Sequence, residues 1–195
     1  MPSNHDLRDD IVKISSELFM RQSYAATSIK QIAKAAGCTT AALYYHFEDG
    51  KEGILREAVD YAMPDLQPFL EPLHDTSSLY ELVMRLAQAT WEHGREMLSR
   101  TRWLMVEFPN LGPEERAKLH EKIIQFHKNL SDLVEPYLNN RQEAEAIAWI
   151  QYSSLFGYGQ LFITLGLAHA YDPPDANYIQ TLAEIIADFG EKRSI

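Results

Sequence analysis

The stretch Thr27–Phe47, TSIKQIAKAAGCTTAALYYHF, constrains this chain more than any other. Ile29, Ile32, Ala33 and Ala36 recur at i, i+3, i+4 and i+7, which places them on one helical face. Ser28 with Gln31 three positions on is a capping-box start, and Thr27 is the competing N-cap. Gly37 follows the last apolar position, where a chain leaving a helix favours a left-handed residue. Thr39 or Thr40 then caps a second helix, on which Leu43 and Phe47, four apart, point back to a core. Thr40, Ala42, Tyr44 and Tyr45 are left facing outward. A helix, a three-residue turn and a second short helix form a helix-turn-helix, whose second helix lies in a DNA major groove.

The order T-x-x-x-x-I-A-x-x-A-G-C-T-x-x-x-L-Y-Y-H-F is more specific than a generic helix-turn-helix. Over roughly residues 7–60 the chain resembles the DNA-binding domain of the TetR (tetracycline-repressor) family of bacterial regulators. Thr27, Ser28, Thr39, Tyr44, Tyr45, His46 and Lys51 match the family's motif position by position, and the resemblance implies that they meet DNA. Hydroxyls, helix-start amides and a cation are the groups that position phosphates. Base reading falls to Thr40 and Ala42, whose methyl groups suit thymine. Tyr45 either faces DNA or packs internally. Ala41 stands where the family often has Gly, no Lys or Arg lies on the reading helix, and the loop before Lys51 is one residue longer than in many members.

The rest of the chain reads as helical. A first helix is expected over about Asp6–Gln22, with Leu7, Ile11, Ile14 and Leu18 as its buried stripe. A fourth follows Asp49 and stops before Pro64. Pro64, Pro68 and Pro72 then mark a linker. Further helices are expected from Thr76–Ser78 through Met97, over Arg102–Phe108, from Pro113 to near Pro136, over about Gln142–Ala170, and over about Asp175–Phe189. The fold expected is all-α with about nine helices. Residues 1–62 form a three-helix helix-turn-helix DNA-binding domain with its following helix, and residues 63–195 a larger ligand-binding and dimerisation domain.

Charge refines this. The net charge is −10, which argues against a general nucleic-acid binder, because counterion release needs Lys and Arg. Yet Leu18–Phe47 contains no Asp or Glu while holding Arg21, Lys30 and Lys34. Useful affinity is therefore expected only when two copies bind together. Ala146–Ala168 is uncharged over 23 residues, membrane-spanning length, but its Gln, Ser, Gly and Thr residues suit a helix buried in an assembly better. No membrane association is expected. The TetR resemblance implies a homodimer through the last two helices, with a near-palindromic double-stranded DNA operator and a small-molecule effector as partners. Cys38, the single cysteine, allows no internal disulfide and fits a reducing cytoplasm. The acidic start reads as no signal peptide.

Candidate effector contacts are Trp91, Met97, Trp103, Met105, Phe108, Phe126, Tyr152 and Phe156, with His93, His127, Glu92 and Glu107 as polar anchors; each is also an ordinary core or surface residue type. His120 and His127 share a helix face, as do His93 and Glu96, but zinc needs three or four convergent ligands. No nucleophile elbow or phosphate loop is present, so no catalytic residue, metal or cofactor is expected. The reading is a ligand-responsive repressor released by a hydrophobic or cationic effector. The alternatives are a TetR-like regulator controlled by a protein partner, and a helical-bundle metalloprotein or enzyme.

Overall fold

A computed structural model describes residues 4–62, 66–138, 140–171 and 175–191, with backbone alone at 4–6, 93–99, 175–176 and 191. Among them are eight α-helices and no strand: α1 Asn4–Gln22, α2 Ile29–Ala35, α3 Thr40–His46, α4 Lys51–Ala62, α5 Leu79–Glu107, α6 Pro113–Val134, α7 Arg141–Gly159 and α8 Asp175–Glu191. The chain is all-α, as its periodicity and caps imply.

It divides into two compact units. The first is Met1–Pro64 with Ser99–Leu119, the second Asp65–Leu98 with His120–Ile195. The expected single cut near residue 63 thus leaves out a piece: the end of α5 and the start of α6 group with the helix-turn-helix. Trp103, Leu104 and Leu111 belong to the same buried cluster as Ile11, Phe19 and Ile32.

Three elements differ from expectation. The helices drawn separately to Met97 and from Arg102 are one continuous α5 of 29 residues, because nothing between them breaks a helix. Pro68 and Pro72 sit in 3-10 turns, Gln67–Phe69 and Glu71–Leu73, so part of the linker is itself coiled. The long helix expected to reach Ala170 leaves α-geometry after Gly159, passes through a π-helical turn at Gln160–Thr164, and ends where Gly166 takes φ +71°.

In the second unit α7 buries Ala144, Ile147, Ala148 and Gln151 and leaves Trp149 and Ile150 exposed, as is Leu161 in the π-helical turn that follows. The uncharged stretch is therefore buried on one side within a protomer and bare on the other. Among the described residues no helix is long and apolar enough to cross a membrane.

Candidate nucleic-acid interface

The site is built from two helices too short to stand alone, each fastened at its start. Ser28 is extended, and its hydroxyl accepts the Gln31 N–H at 3.3 Å. Gln31 Oε1 returns the bond to the Ser28 N–H at 2.8 Å, completing the capping box read from sequence. At the next start Thr39 Oγ1 accepts the Ala42 N–H at 3.1 Å. Between them Gly37 takes φ +66°, and the Cys38 N–H reaches back to Ala33 O at 2.9 Å, closing α2. Burial pushes the Cys38 thiol up, keeping it a neutral packing group.

Ile32, Ala33, Leu43 and Phe47 are buried and hold both helices on one core. This fixes which side of α3 faces out. Thr39, Thr40 and Ala41 are exposed and Ala42 is half-buried. Tyr44 is about half exposed, and Tyr45 is 74 % exposed with its ring edge-on to His46 at 5.4 Å. Tyr45 therefore takes the outward of its two readings. Ser28, Lys30, Lys34 and Arg21 are also exposed. The surface offers hydroxyls, phenols, two capped helix starts and three cations, with no acid between Leu18 and Phe47.

Two residues expected to meet phosphate have their polar groups engaged inside the unit. Thr27 is buried; its hydroxyl donates to Ser23 O at 2.8 Å and accepts from Gln22 Nε2 at 3.1 Å. Lys51 Nζ donates to Tyr24 O and Thr27 O, both at 2.9 Å, and lies 4.1 Å from the Tyr24 ring centre. The structure gives both residues the task of holding the link Ser23–Thr27 between α1 and α2. These link carbonyls lie outside the helices and so have lone pairs free to accept the ammonium.

The expected effector residues do not come together as one set. Trp103 and Phe108 pack in the core of the first unit, where Trp103 stacks on Phe19 at 6.2 Å. Met105 and Trp91 are exposed. The side chains of Met97 and His93 lie outside the described residues. Glu107, read as an anchor for a cationic ligand, is buried instead among protein donors. Phe126, Tyr152 and Phe156 do gather in the second unit: Tyr152 lies 5.4 Å from Phe126, 6.0 Å from Phe156 and 6.2 Å from Trp149. His127 continues this ladder by stacking on Trp149 at 4.2 Å. Burial pushes the Tyr152 phenol up. Next to it on α7, Gln151 is fully buried with no protein hydrogen-bond partner on either carboxamide atom. Among the described residues no group of three or more His, Cys, Asp or Glu is placed to hold a metal ion.

A second surface was foreseen only in outline. An apolar groove of about 480 Å³ is lined by Ala146, Ile150, Leu182, Ile185 and Phe189 of α7 and α8, with Asn140, Gln142 and Glu143 as its polar lining. Ile150, Ile185 and Phe189 are exposed in the protomer. Leu182, Ile185, Ile186 and Phe189 recur on α8 at helical spacing, so the signal was present in the sequence.

The fold and the outward face of α3 define a helix-turn-helix protein. Residues 11–58 match the family model described as bacterial regulatory proteins, tetR family. That match spans about a quarter of the chain, its helix-turn-helix region. HTH-type transcriptional regulator YxaF of Bacillus subtilis (strain 168) is 37% identical over 78 residues, 40% of this chain and 41% of that protein. The chain thus matches about two-fifths of the length of that relative. Among solved structures, a TetR-family transcriptional regulator from Cytophaga hutchinsonii superposes with a TM-score of 0.71 at 17% identity, over 96% of both chains. A transcriptional regulator from Saccharomonospora viridis, solved in complex with choline, gives 0.69 at 21% identity over 93% of this chain and 96% of that one. These likenesses establish a shared fold over nearly the whole chain.

Proposed function

We propose that this protein is a homodimeric transcriptional repressor that holds a near-palindromic operator through α3 and releases it when a small hydrophobic or cationic molecule binds the second unit. The observation that carries the reading is the outward face of α3. Thr40, Tyr44 and Tyr45 are exposed and Ala42 half-buried on a helix fixed by a rigid core, beside capped helix starts and within a stretch, Leu18–Phe47, that holds no acid. Ser28, Thr39, Tyr44, Tyr45 and His46 position the phosphates. Thr40 and Ala42 read thymine methyls, since neither makes the bidentate bond that selects guanine.

A single copy holds DNA weakly, because the chain is acidic as a whole. The α7–α8 groove supports pairing: its exposed Ile150, Ile185 and Phe189 are the side chains a second copy covers. Two reading helices then enter successive major grooves about 34–36 Å apart or a multiple of that. The aromatic ladder Phe126–Tyr152–Phe156 supports a cationic or apolar effector, as does choline in the Saccharomonospora regulator of the same fold. Gln151 offers a polar effector group a buried donor and acceptor. Induction requires the effector to favour a state with a different spacing of the two heads, because equal affinity for both states shifts nothing.

Selection from random duplexes tests DNA reading. The expected product is a two-fold symmetric site with thymine-rich half-sites; half-sites anchored on guanine overturn the assignment of Thr40 and Ala42, and no enrichment overturns the repressor. Sedimentation tests pairing: the wild type runs as a dimer and Ile185→Glu as a monomer with lost operator binding. A monomeric wild type sinks the dimer model. Choline and a panel of hydrophobic compounds added to the protein–operator complex test induction.

A further inference from the structure

Glu107, the last residue of α5, is 2 % exposed and lies in the helix-turn-helix unit. Its carboxylate is held between two donors. Oε1 accepts the backbone N–H of Tyr24 at 3.0 Å and Oε2 accepts Asn110 Nδ2 at 3.1 Å. Tyr24 lies in the short link between α1 and α2. Lys51 from α4 takes the carbonyl of the same residue and covers its ring. The backbone of Tyr24 is therefore gripped from both sides, its N–H by an anion from α5 and its C=O by a cation from α4. The link is also constrained in itself. Ser23 takes φ +69°, an uncommon value for a residue with a Cβ, and the Thr27 hydroxyl ties back to Ser23 O. Trp103, one helical turn before Glu107, stacks on Phe19, whose ring meets Tyr24 edge-on at 5.2 Å. The end of α5 thus reaches the link directly through a charged bond and indirectly through Phe19 of α1.

We propose that Glu107 is a positioning residue for DNA binding: its carboxylate fixes the backbone at Tyr24, and through the link Ser23–Thr27 it sets where Ser28 starts α2 and so where α3 is presented. This rests on the reading that α3 binds operator DNA. Position, not charge, is what the bond supplies. A carboxamide reaches as far and still accepts the Tyr24 N–H, whereas an aspartate keeps the charge and is one methylene short. Chain continuity adds a regulatory consequence, because α5 belongs to the second unit up to Leu98. An effector that rotates or draws α5 acts directly on the backbone of the link.

The test uses the full-length protein and the operator selected above, with amide hydrogen exchange read residue by residue. In the wild type the Tyr24 amide is protected. In Glu107→Ala and Glu107→Asp it exchanges freely while the Ile32 and Leu43 amides keep their protection, and operator affinity falls about tenfold or more, the worth of a bond to a charged acceptor. Glu107→Gln stays within about threefold. Where the Ala variant fails to fold, the Asp and Gln pair carries the comparison. Wild-type affinity in Glu107→Asp with a freely exchanging Tyr24 amide overturns the proposal. So does a Gln variant as weak as the Asp variant, or loss of Ile32 and Leu43 protection along with Tyr24. A wild type that enriches no DNA refutes the repressor reading alone, and exchange at Tyr24 then still decides whether Glu107 holds the link.

Discussion

Gly50→Ala is the substitution whose effect is most directly worked from the geometry. Gly50 sits at φ +60° in the turn between α3 and α4. Its N–H reaches Phe47 O at 2.8 Å, and its carbonyl accepts the Ile54 N–H at 3.2 Å, opening α4. A Cβ there meets Tyr44 Cε1 at 2.9 Å, well inside the ~3.5 Å at which two carbons rest. The left-handed backbone costs a side-chain-bearing residue about 1–2 kcal/mol. Pushing the half-exposed Tyr44 ring off its rotamer adds roughly 0.5–1 kcal/mol. Loss of glycine's freedom in the unfolded chain offsets about 0.4–1 kcal/mol of this. The net expectation is a loss of about 1–2 kcal/mol, or roughly 2–8 °C in midpoint for a chain of this size. Urea and thermal unfolding at fixed protein concentration measure it, since association shifts apparent stability. Operator affinity is expected to fall with stability, because the displaced ring is one of the two phenols proposed above to position phosphate. Gly50→Asn separates the two causes: Asn tolerates the backbone, so its remaining loss reports the ring contact. In the Gly50→Ala, Tyr44→Ala double variant the contact part disappears, and a cycle gives its size. A Gly50→Ala protein as stable as the wild type refutes both parts of the reasoning.

Two further expectations follow from single bonds and single burials. Thr39→Ala removes the cap on Ala42 N–H and costs about 1 kcal/mol in unfolding free energy, with weaker operator binding in a mobility-shift assay; an unchanged denaturation midpoint rejects the cap as a stabilising element. Burial raises the Tyr152 phenol above its usual 10.0, so the folded state favours the neutral form: that contribution is complete below about pH 10 and is lost as pH rises through the raised value. The midpoint should therefore fall on alkaline titration, and Tyr152→Phe should reduce the slope, leaving the part due to Tyr24, which is raised by burial and then by Glu52 and Glu107. An identical slope in the variant removes Tyr152 from the account.

Local grammar was legible in the sequence and distant contacts were not. The Ser28–Gln31 capping box, the Thr39 cap and the left-handed Gly37 all act within four residues, so their signals sit side by side in the chain. The extent of α5 was misread at the stretch between Met97 and Arg102, which holds no Gly or Pro to stop a helix. The helix expected to reach Ala170 was drawn too long, because its apolar pattern runs on past Gly166, whose left-handed backbone is a turn. Glu107 was out of reach: its partner is 83 residues away, and no periodicity or motif links a helix-ending acid to a backbone amide in a remote loop. The internal bonds of Lys51 were out of reach on the same ground, because its carbonyl partners are 24 and 27 residues distant.

The reading helix and its neighbour are seven residues each, about half the length at which an isolated helix holds its shape in water. Neither can be an independent module. Leu43 and Ile32 hold them in place from below, while Thr40 and Tyr45 contribute little to that hold. Foldability and target choice are therefore written in separate letters of the same short words. If α3 reads DNA as proposed above, exchanges at the exposed Thr40 or Tyr45 change target choice with almost no penalty in fold. A change at Ile32, Leu43 or Phe19, all fully buried, instead loosens the support of both helices together, whatever their target.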